Sequence, residues 1–355
     1  MRLVLFLFRA VSAEPAAFSY WGHGGEGREI PPPFGAAAIG YRLRLSLLCL
    51  NKQKDVVTWV NFKISTYAPP VSIFDTKQGY WQKRKREWKS IGLDSGAGRN
   101  DGLLGNNNGL KDLAEKMGAN LTGTSIFDPV LCEIIYNWYG MKNGTVFDPF
   151  AGGSVRGVVA ELLGQRYIGI DLSQRQIDAN QINADQFGVT PAWHCDDSRN
   201  ADKYIQDGAA DLVFSCPPYH NLEKYSNHPL DLSNMNYADF IEAYKDIIEK
   251  SCRKLKENRF AVFVVGDIRD SKGAYRDFVS ETKRIFRECG LLLYNESILL
   301  EQYGTAPMRA SKQFEAGRKV VKVYQNVLVF YKGDMKAIKG LYSNDFAWAD
   351  IERFK

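Results

Sequence analysis

From about residue 145 onward, short apolar runs alternate with helical patterns, and most of the runs end in an acid or a small polar residue. Thr145–Asp148, Tyr167–Asp171, Ala192–Cys195, Ala210–Ser215 and Phe260–Gly266 read as strands, and Leu291–Leu300 and Tyr324–Tyr331 close the series. Between them, 154–163, 173–185, Tyr237–Leu255 and 276–288 read as helices. In Tyr237–Leu255, residues Phe240, Ile241, Tyr244, Ile248, Cys252 and Leu255 recur at helical spacing and define a buried stripe. Strands alternating with helices of about 10–15 residues imply βαβ units. The expected fold is therefore α/β, a mostly parallel seven-stranded sheet with helices on both faces. In such sheets ligands sit beyond the carboxyl ends of the strands. The strand-end residues are Asp148, Asp171, Asp196 or Asp197, Ser215 with Cys216, and Asp267.

At 355 residues and 45% hydrophobic, the chain has room for one large α/β domain with attachments, or two domains. A net charge of +5 permits a nucleic-acid partner without establishing one. The six cysteines show no CxxC spacing, which argues against a metal cage or a disulfide framework and suits a reducing cytoplasm. No apolar run approaches the roughly 18–20 residues of a membrane span. The opening MRLVLFLFRAVSAEPA is superficially like a secretory signal. Its apolar stretch, Leu3 to Phe8, is shorter than the usual ~7–15 residues, and Arg9 interrupts it. Residues 10–40, rich in Gly, Ala and Pro, read as poorly ordered.

VFDPFAGGSVRG (146–157) reads as a strand, a tight turn and a helix start. Gly152 and Gly153 let the backbone pass close to a ligand, and Ser154 suits a helix cap. The glycine spacing is not GxGxxG, and no GK[ST] is present, so an ordinary βα turn is an equal reading. Asp171 ends the next strand, 23 residues after Asp148, where an acid can accept both hydroxyls of a ribose. Asp196 and Asp197 end the third, in reach of an adenine amino group. Singly, each acid also suits a solvated loop or a cap; three in register with three strands point to a nucleoside site. An acidic pocket suits the sulfonium of S-adenosylmethionine better than the phosphates of NAD.

FDPFAGGS, GIDL, DDS and SCPPY, in that order, resemble the amino-directed DNA methyltransferases, which act on N6 of adenine or N4 of cytosine. The likeness is greatest to enzymes carried by bacteriophages. It extends upstream to PPVSIFDTKQGYWQKRKREW and TSIFDPVLCEIIYNWY and downstream to VVGDIRD and YQNVLVFYKGD, covering about residues 69–334. The resemblance implies a Rossmann-like S-adenosylmethionine-dependent methyltransferase fold. It places Asp148, Phe150, Ala151, Gly152 and Gly153 around the methionine and ribose, Asp171 on the ribose and Asp197 on the adenine. Ser125 or Asp128 would contact the methionine end. The expected organisation is an atypical segment 1–60, a basic segment 61–120, a catalytic domain 121–335 and a tail 336–355. The expected place is the cytoplasm, that of the host if the chain is phage-encoded.

SCPPY supplies the expected catalytic set, Ser215, Cys216, Pro217, Pro218 and Tyr219. Two adjacent prolines stop a helix and cannot donate to a sheet ladder. An exocyclic amine is a poor nucleophile because its lone pair is delocalised into the ring. Acceptors that take its protons favour a pyramidal nitrogen aimed at a methyl group, and a rigid turn can present the Pro217 carbonyl for this. Tyr219 offers a ring for a flipped base to stack on. The family has Asp, Asn or Ser where this chain has Cys216, and a thiol is a weaker acceptor. Cys216 is the shape analogue of serine, which the family associates more with cytosine amines, so the resemblance leans the expectation slightly towards cytosine, and Ser215 is a candidate to compensate. A covalent cysteine is a poor alternative, because enzymes of that kind place it after the prolines. His220 and His228, in the polar loop behind the turn, read as hydrogen-bonding residues and His194 as structural. Asp267 and Arg269 either organise the pocket or pair with each other.

WQKRKREW (81–88) sets Lys83, Arg84, Lys85 and Arg86 between tryptophans, as a solvated helix face or as phosphate contacts. MRASKQFEAGRKVVK (308–322) adds Arg309, Lys312, Arg318, Lys319 and Lys322 against Glu315 alone. The expected partner is double-stranded DNA, with neither metal nor membrane. An RNA base methyltransferase, which can use a similar turn on guanine, and a catalytically silent nucleic-acid-binding relative are the alternatives.

Overall fold

Strand β6 (Leu255–Val265) shows why this sheet must be covered twice. Phe260, Val262 and Val264 join one apolar cluster, while Ala261, Phe263 and Val265 join another. Alternation in a strand sends successive side chains to opposite faces, so the stretch from Phe260 to Val265, apolar at every position, has no face to give to water. The computed structural model describes residues 68–93, 96, 127–220, 228–301, 306–342 and 346–354. Ser125, the segment 1–60 and residues 221–227 of the loop after His220 lie outside them.

The other strands are β1 (Ile73–Asp75), β2 (Thr145–Asp148), β3 (Arg166–Asp171), β4 (Ala192–Cys195), β5 (Ala210–Ser215), β7 (Leu292–Leu300) and β8 (Tyr324–Lys332). They lie in the order β1-β7-β8-β6-β5-β2-β3-β4. Every neighbouring pair is parallel except those made by β8, which runs against β6 and β7. The sheet is the expected doubly wound one, with eight strands where seven were expected. The extra strand, Ile73–Asp75, pairs with Ile298–Leu300 at the edge. Three residues are too few to show a period of two, so pattern alone misses them.

Helices α1 (Gly79–Ser90), α2 (Pro129–Tyr139), α3 (Val155–Leu162) and α4 (Gln174–Gln186) contribute to the first cluster. Helices α5 (Tyr237–Lys254) and α6 (Phe278–Glu288) contribute to the second, where Phe240, Tyr244 and Phe278 pack ring against ring. Helix α7 (Ala306–Gly317) belongs to the excursion between β7 and β8.

The chain runs outward from β2 to β3 and β4, then returns to place β5 on the other side of β2. That reversal is a topological switch point, where open α/β sheets form their ligand crevice. The register Phe147↔Val213 brings the ends of β2 and β5, Asp148 and Ser215, side by side.

Candidate active site at the switch point

Asp148 ends β2 with no exposure to solvent. Its carboxylate accepts from Arg156 Nε at 2.5 Å, Tyr167 Oη at 2.6 Å, Ser215 Oγ at 2.5 Å and the Phe150 amide at 3.1 Å. A buried carboxylate needs that many partners. Burial alone would lower the Arg156 pKa, but the adjacent Asp148 more than reverses this and the guanidinium stays charged. Arg156 also donates to the Phe150 and Ala151 carbonyls and lies 4.4 Å over the Phe127 ring. Asp148 is thus an internal anchor of the 149–153 loop, in place of the ligand contact expected of it. Arg156 escaped the sequence reading; its signal is a single arginine inside the apolar helix VRGVVAEL.

Ser215 is likewise fully buried, donating to Asp148 and accepting from the Phe150 amide at 3.2 Å. It ties β5 to the loop after β2, which removes it as the acceptor that compensates for Cys216. Ser154 makes no capping bond; its hydroxyl donates to Asn183 Oδ1 at 2.7 Å and fastens the loop to α4.

The loop itself turns at Gly152, whose φ of 51° disfavours any side chain. Its amide donates to Asp171 Oδ2 at 3.0 Å, and its carbonyl accepts from Asn180 at 2.7 Å. At Gly169 a Cβ would come within 2.8 Å of the Ala151 Cβ, so the glycine of YIGID lets the loop close against β3. Asp171 Oδ1 accepts from the Ser173 amide at 2.8 Å. Each carboxylate oxygen of Asp171 therefore holds one backbone N–H and retains acceptor capacity. Burial pushes the Asp171 pKa up, against the pull of those two amides.

The acids beyond β4 are engaged more heavily. Asp197 caps the 3₁₀ helix Ser198–Lys203 and takes a two-pronged contact from Arg199, with Nη2 at 2.6 Å and Nε at 2.9 Å. Asp196 accepts from Asn200, Lys203 and Tyr204 at 2.7, 2.9 and 2.8 Å. Burial would raise Asp196, but these bonds hold its pKa well below the usual aspartate range. His194 stacks on Tyr204 at 4.1 Å, a structural role.

On the other wall, the turn after β5 is braced against β6 and β8. Tyr219 Oη donates to Gln325 Oε1 at 2.9 Å, with the Val264 carbonyl at 3.3 Å, and lies 3.6 Å from Cys216 Sγ. The ring packs over Gly266, where a Cβ would sit 3.4 Å from it. Pro217 is buried, and Cys216, Pro218 and Tyr219 are half-buried. Among the described residues no donor reaches the Pro217 carbonyl. His220 turns inward at a φ of 47°, bonds the Met235 carbonyl at 3.0 Å and packs on Tyr237 and Phe240. His228 accepts from the Leu230 amide. Asp267 accepts from the Phe278 amide, while Arg269 donates to the Gly273 carbonyl and stacks on Tyr275; they do not pair with each other.

The basic run on α1 divides by the helical period. Trp81, Arg84 and Trp88 share the buried face. Arg84 grips the fully buried Glu133 through Nη2 at 2.6 Å and Nε at 2.9 Å, so it belongs to the core, and its expected role on DNA is withdrawn. Lys85 pairs with Asp128 at 2.7 Å. Asp128 also caps α2 through the Val130 amide and accepts from Trp81, so its carboxylate ties α1 to α2 rather than pointing to a cofactor. Lys83 and Arg86 are exposed. On the excursion, Arg309, Lys312 and Arg318 are exposed, and Lys319 and Lys322 half-buried. An apolar cleft of about 480 Å³ lies between α7 and residues 319–323, lined by Ala310, Phe314, Val320 and Val323. Among the described residues no helix is long and apolar enough to cross a membrane, and no cluster of three potential metal ligands occurs.

No family model and no curated protein matches the chain. Among solved structures it is similar to TrmN from Thermus thermophilus, at 16% identity and a TM-score of 0.41, over 58% of this chain and 49% of that one. The chain thus spans about half the length of TrmN. It is similar to an S-adenosylmethionine-dependent methyltransferase from Methanosarcina mazei at 13% identity, over 56% and 97% of the two chains, TM-score 0.40. A protein assigned as a DNA modification methylase, also from Thermus thermophilus, is 17% identical over 40% and 56%, TM-score 0.29. Function does not transfer at such identities. What the crevice does follows from its own residues.

Proposed function

We propose that this chain is an S-adenosylmethionine-dependent methyltransferase acting on an exocyclic amino group of a base in DNA. The observation that carries the reading is the switch-point crevice. One wall presents Asp171 beside the Gly152 turn, the other presents the Cys216–Tyr219 turn, and the Asp148–Ser215 bond locks the two together. Asp171 fits a ribose, because both of its oxygens keep lone pairs after binding the Gly152 and Ser173 amides. Phe150, half-buried in the loop, gives an apolar surface beside it.

S-adenosylmethionine supplies an electrophilic methyl group. The chain's part is to aim the amine. The Pro217 carbonyl accepts a hydrogen bond from one amine N–H and Cys216 Sγ from the other, which pyramidalises the nitrogen, while the Tyr219 ring stacks on the base; as the N–C bond forms and the methyl–sulfonium bond breaks, the amine gives up a single proton to solvent. These interactions strengthen as the nitrogen loses conjugation, so they favour the transition state over the ground state. The serine-like shape of Cys216 favours cytosine over adenine. The exposed cations of the α7 excursion serve the phosphates, since β7 ends and β8 begins at the same sheet edge as the crevice.

The test is methyl transfer from labelled S-adenosylmethionine to matched double-stranded DNA, single-stranded DNA and RNA, with nucleoside analysis of the product. Label on an exocyclic nitrogen of DNA is expected. Label in RNA alone would move the reading to an RNA base methyltransferase. DNA retention without S-adenosylmethionine binding would make the chain a silent relative. Asp171→Asn replaces one acceptor by a donor and should weaken cofactor binding by roughly 1.5–3 kcal/mol. Calorimetry showing unchanged affinity would remove Asp171 from the site.

A further inference from the structure

Gln325 is the second residue of β8, at the edge where the Cys216–Tyr219 turn lies, and Glu301 follows the end of β7 beside it. Gln325 Nε2 donates to Glu301 Oε1, and Gln325 Oε1 accepts from Tyr219 Oη at 2.9 Å. A side-chain amide in this place has two orientations, related by exchange of its oxygen and nitrogen. A carboxylate only accepts, so Glu301 permits the orientation that turns the nitrogen towards it and the oxygen towards Tyr219. A phenol has one proton, and the short contact to Gln325 takes it. The Tyr219 oxygen then meets Cys216 Sγ, 3.6 Å away, as an acceptor of the thiol proton.

We infer that Glu301 sets the direction of a hydrogen-bond chain running from the Cys216 thiol through Tyr219 Oη and the Gln325 amide to the Glu301 carboxylate. The chain directs the S–H of Cys216 to Tyr219, so the sulfur meets the target amine through its lone pairs. This deepens the proposed function and rests on it for the identity of the amine. Its physical point is specific to cysteine in this slot. A thiol is a rotor, and one that turned its proton towards an amine N–H would oppose two donors. A side-chain oxygen of asparagine has no such proton and needs no such restraint. Gln325 and Glu301 are thus positioning residues: they act through Tyr219 and Cys216 and touch no substrate.

The experiment measures turnover, the KM for DNA and S-adenosylmethionine binding for Gln325→Leu and Glu301→Gln, each in the parent and in a Cys216→Asn background. One hydrogen bond is worth about 1 kcal/mol, so turnover in the parent background should fall roughly 5–10-fold. Cofactor affinity should stay unchanged, and both variants should remain folded with cooperative melting. In the Cys216→Asn background the same substitutions should cost less than about 2-fold, because the interaction they support is gone. Equal losses in both backgrounds, or none in the parent, overturn the inference. A second readout needs no activity. The infrared S–H stretch of Cys216, isolated as the difference between parent and Cys216→Ala, should show a donating thiol. It should move to higher frequency in both Gln325→Leu and Tyr219→Phe. A band that stays put in both sinks the chain. A parent that methylates neither DNA nor RNA sinks the proposed function instead, and the infrared result still decides the chain.

Discussion

Helix α1 and the excursion that carries α7 share a sequence signal, a run of lysine and arginine, and the fold surrounds the two in opposite ways. On α1, the spacing of Trp81, Arg84 and Trp88 puts one cation on the buried face, where Glu133 waits with no solvent exposure. Glu133 accepts from both Arg84 nitrogens, the Trp88 indole and the Ala349 amide, a shell that leaves the charge fully compensated. Lys85 is absorbed by Asp128. On the α7 excursion no such acid arrives: among the described residues, Arg309, Lys312 and Arg318 form no ion pair, and Arg318 only covers the Phe314 ring. A cationic run stays available for an anionic partner only where the rest of the chain offers it no carboxylate.

The largest effect expected from this contrast is on stability. Arg84→Ala should cost about 3–5 kcal/mol in denaturant unfolding, because Glu133 is left buried with its main partner gone. A variant that folds as well as the parent but binds DNA poorly would reverse the assignment of α1. Next in size, replacing Arg309, Lys312 and Arg318 together by Ala should leave the unfolding midpoint alone and weaken binding to all DNA sequences alike. The slope of log affinity against log salt should shrink by about 0.9 for each phosphate that no longer meets a cation. An unaltered slope would make α7 a solvated face and erase the contrast.

Tyr219→Ala sharpens the comparison from the crevice side. Loss of a stacking ring should cost about 1–3 kcal/mol in turnover while leaving the salt slope unchanged. Methyl transfer at the parental rate would take the turn out of the catalytic centre. Smaller again is the double variant Lys83→Ala with Arg86→Ala, the two exposed cations of the α1 run. Its stability should match the parent, and any change in salt slope reports how close α1 comes to the nucleic acid. The smallest effect is a pH dependence. Burial lowers the Lys322 pKa against the opposing charges of Asp267 and Glu301. Its charge is therefore lost, as pH rises, before that of an ordinary lysine. DNA affinity should decline early on the alkaline side, and Lys322→Arg should remove that decline. An identical alkaline profile in the two proteins would show that Lys322 contacts nothing anionic.

The strands most legible in the sequence were the central ones. Thr145–Asp148 and Ala210–Ser215, adjacent in the sheet and buried throughout, fall where the apolar runs place them, because such a run has few other ways to bury itself. Less legible was anything that depended on a distant partner. Leu255–Val265 begins five residues before its apolar run, since its polar start is recruited in part by pairing with β5 and β8. Ser154, well suited to cap α3, bonds Asn183 instead because α4 comes close enough to offer it.

Periodicity and strand-end chemistry were thus determined by the sequence itself: a doubly wound sheet, its ligand edge, the acids along that edge and the stiff turn at Cys216–Tyr219. These are local properties, set by which neighbouring residues share a face and where an apolar run stops. The tertiary structure alone decided which polar groups remain available for chemistry. Asp148 is consumed by Ser215, 67 residues away, and Arg84 by Glu133, 49 residues away, while Asp171 keeps capacity on both oxygens. A charge inside a protein must find its partner before it can stay there, and that partner arrives by the packing of distant elements, which no local pattern records.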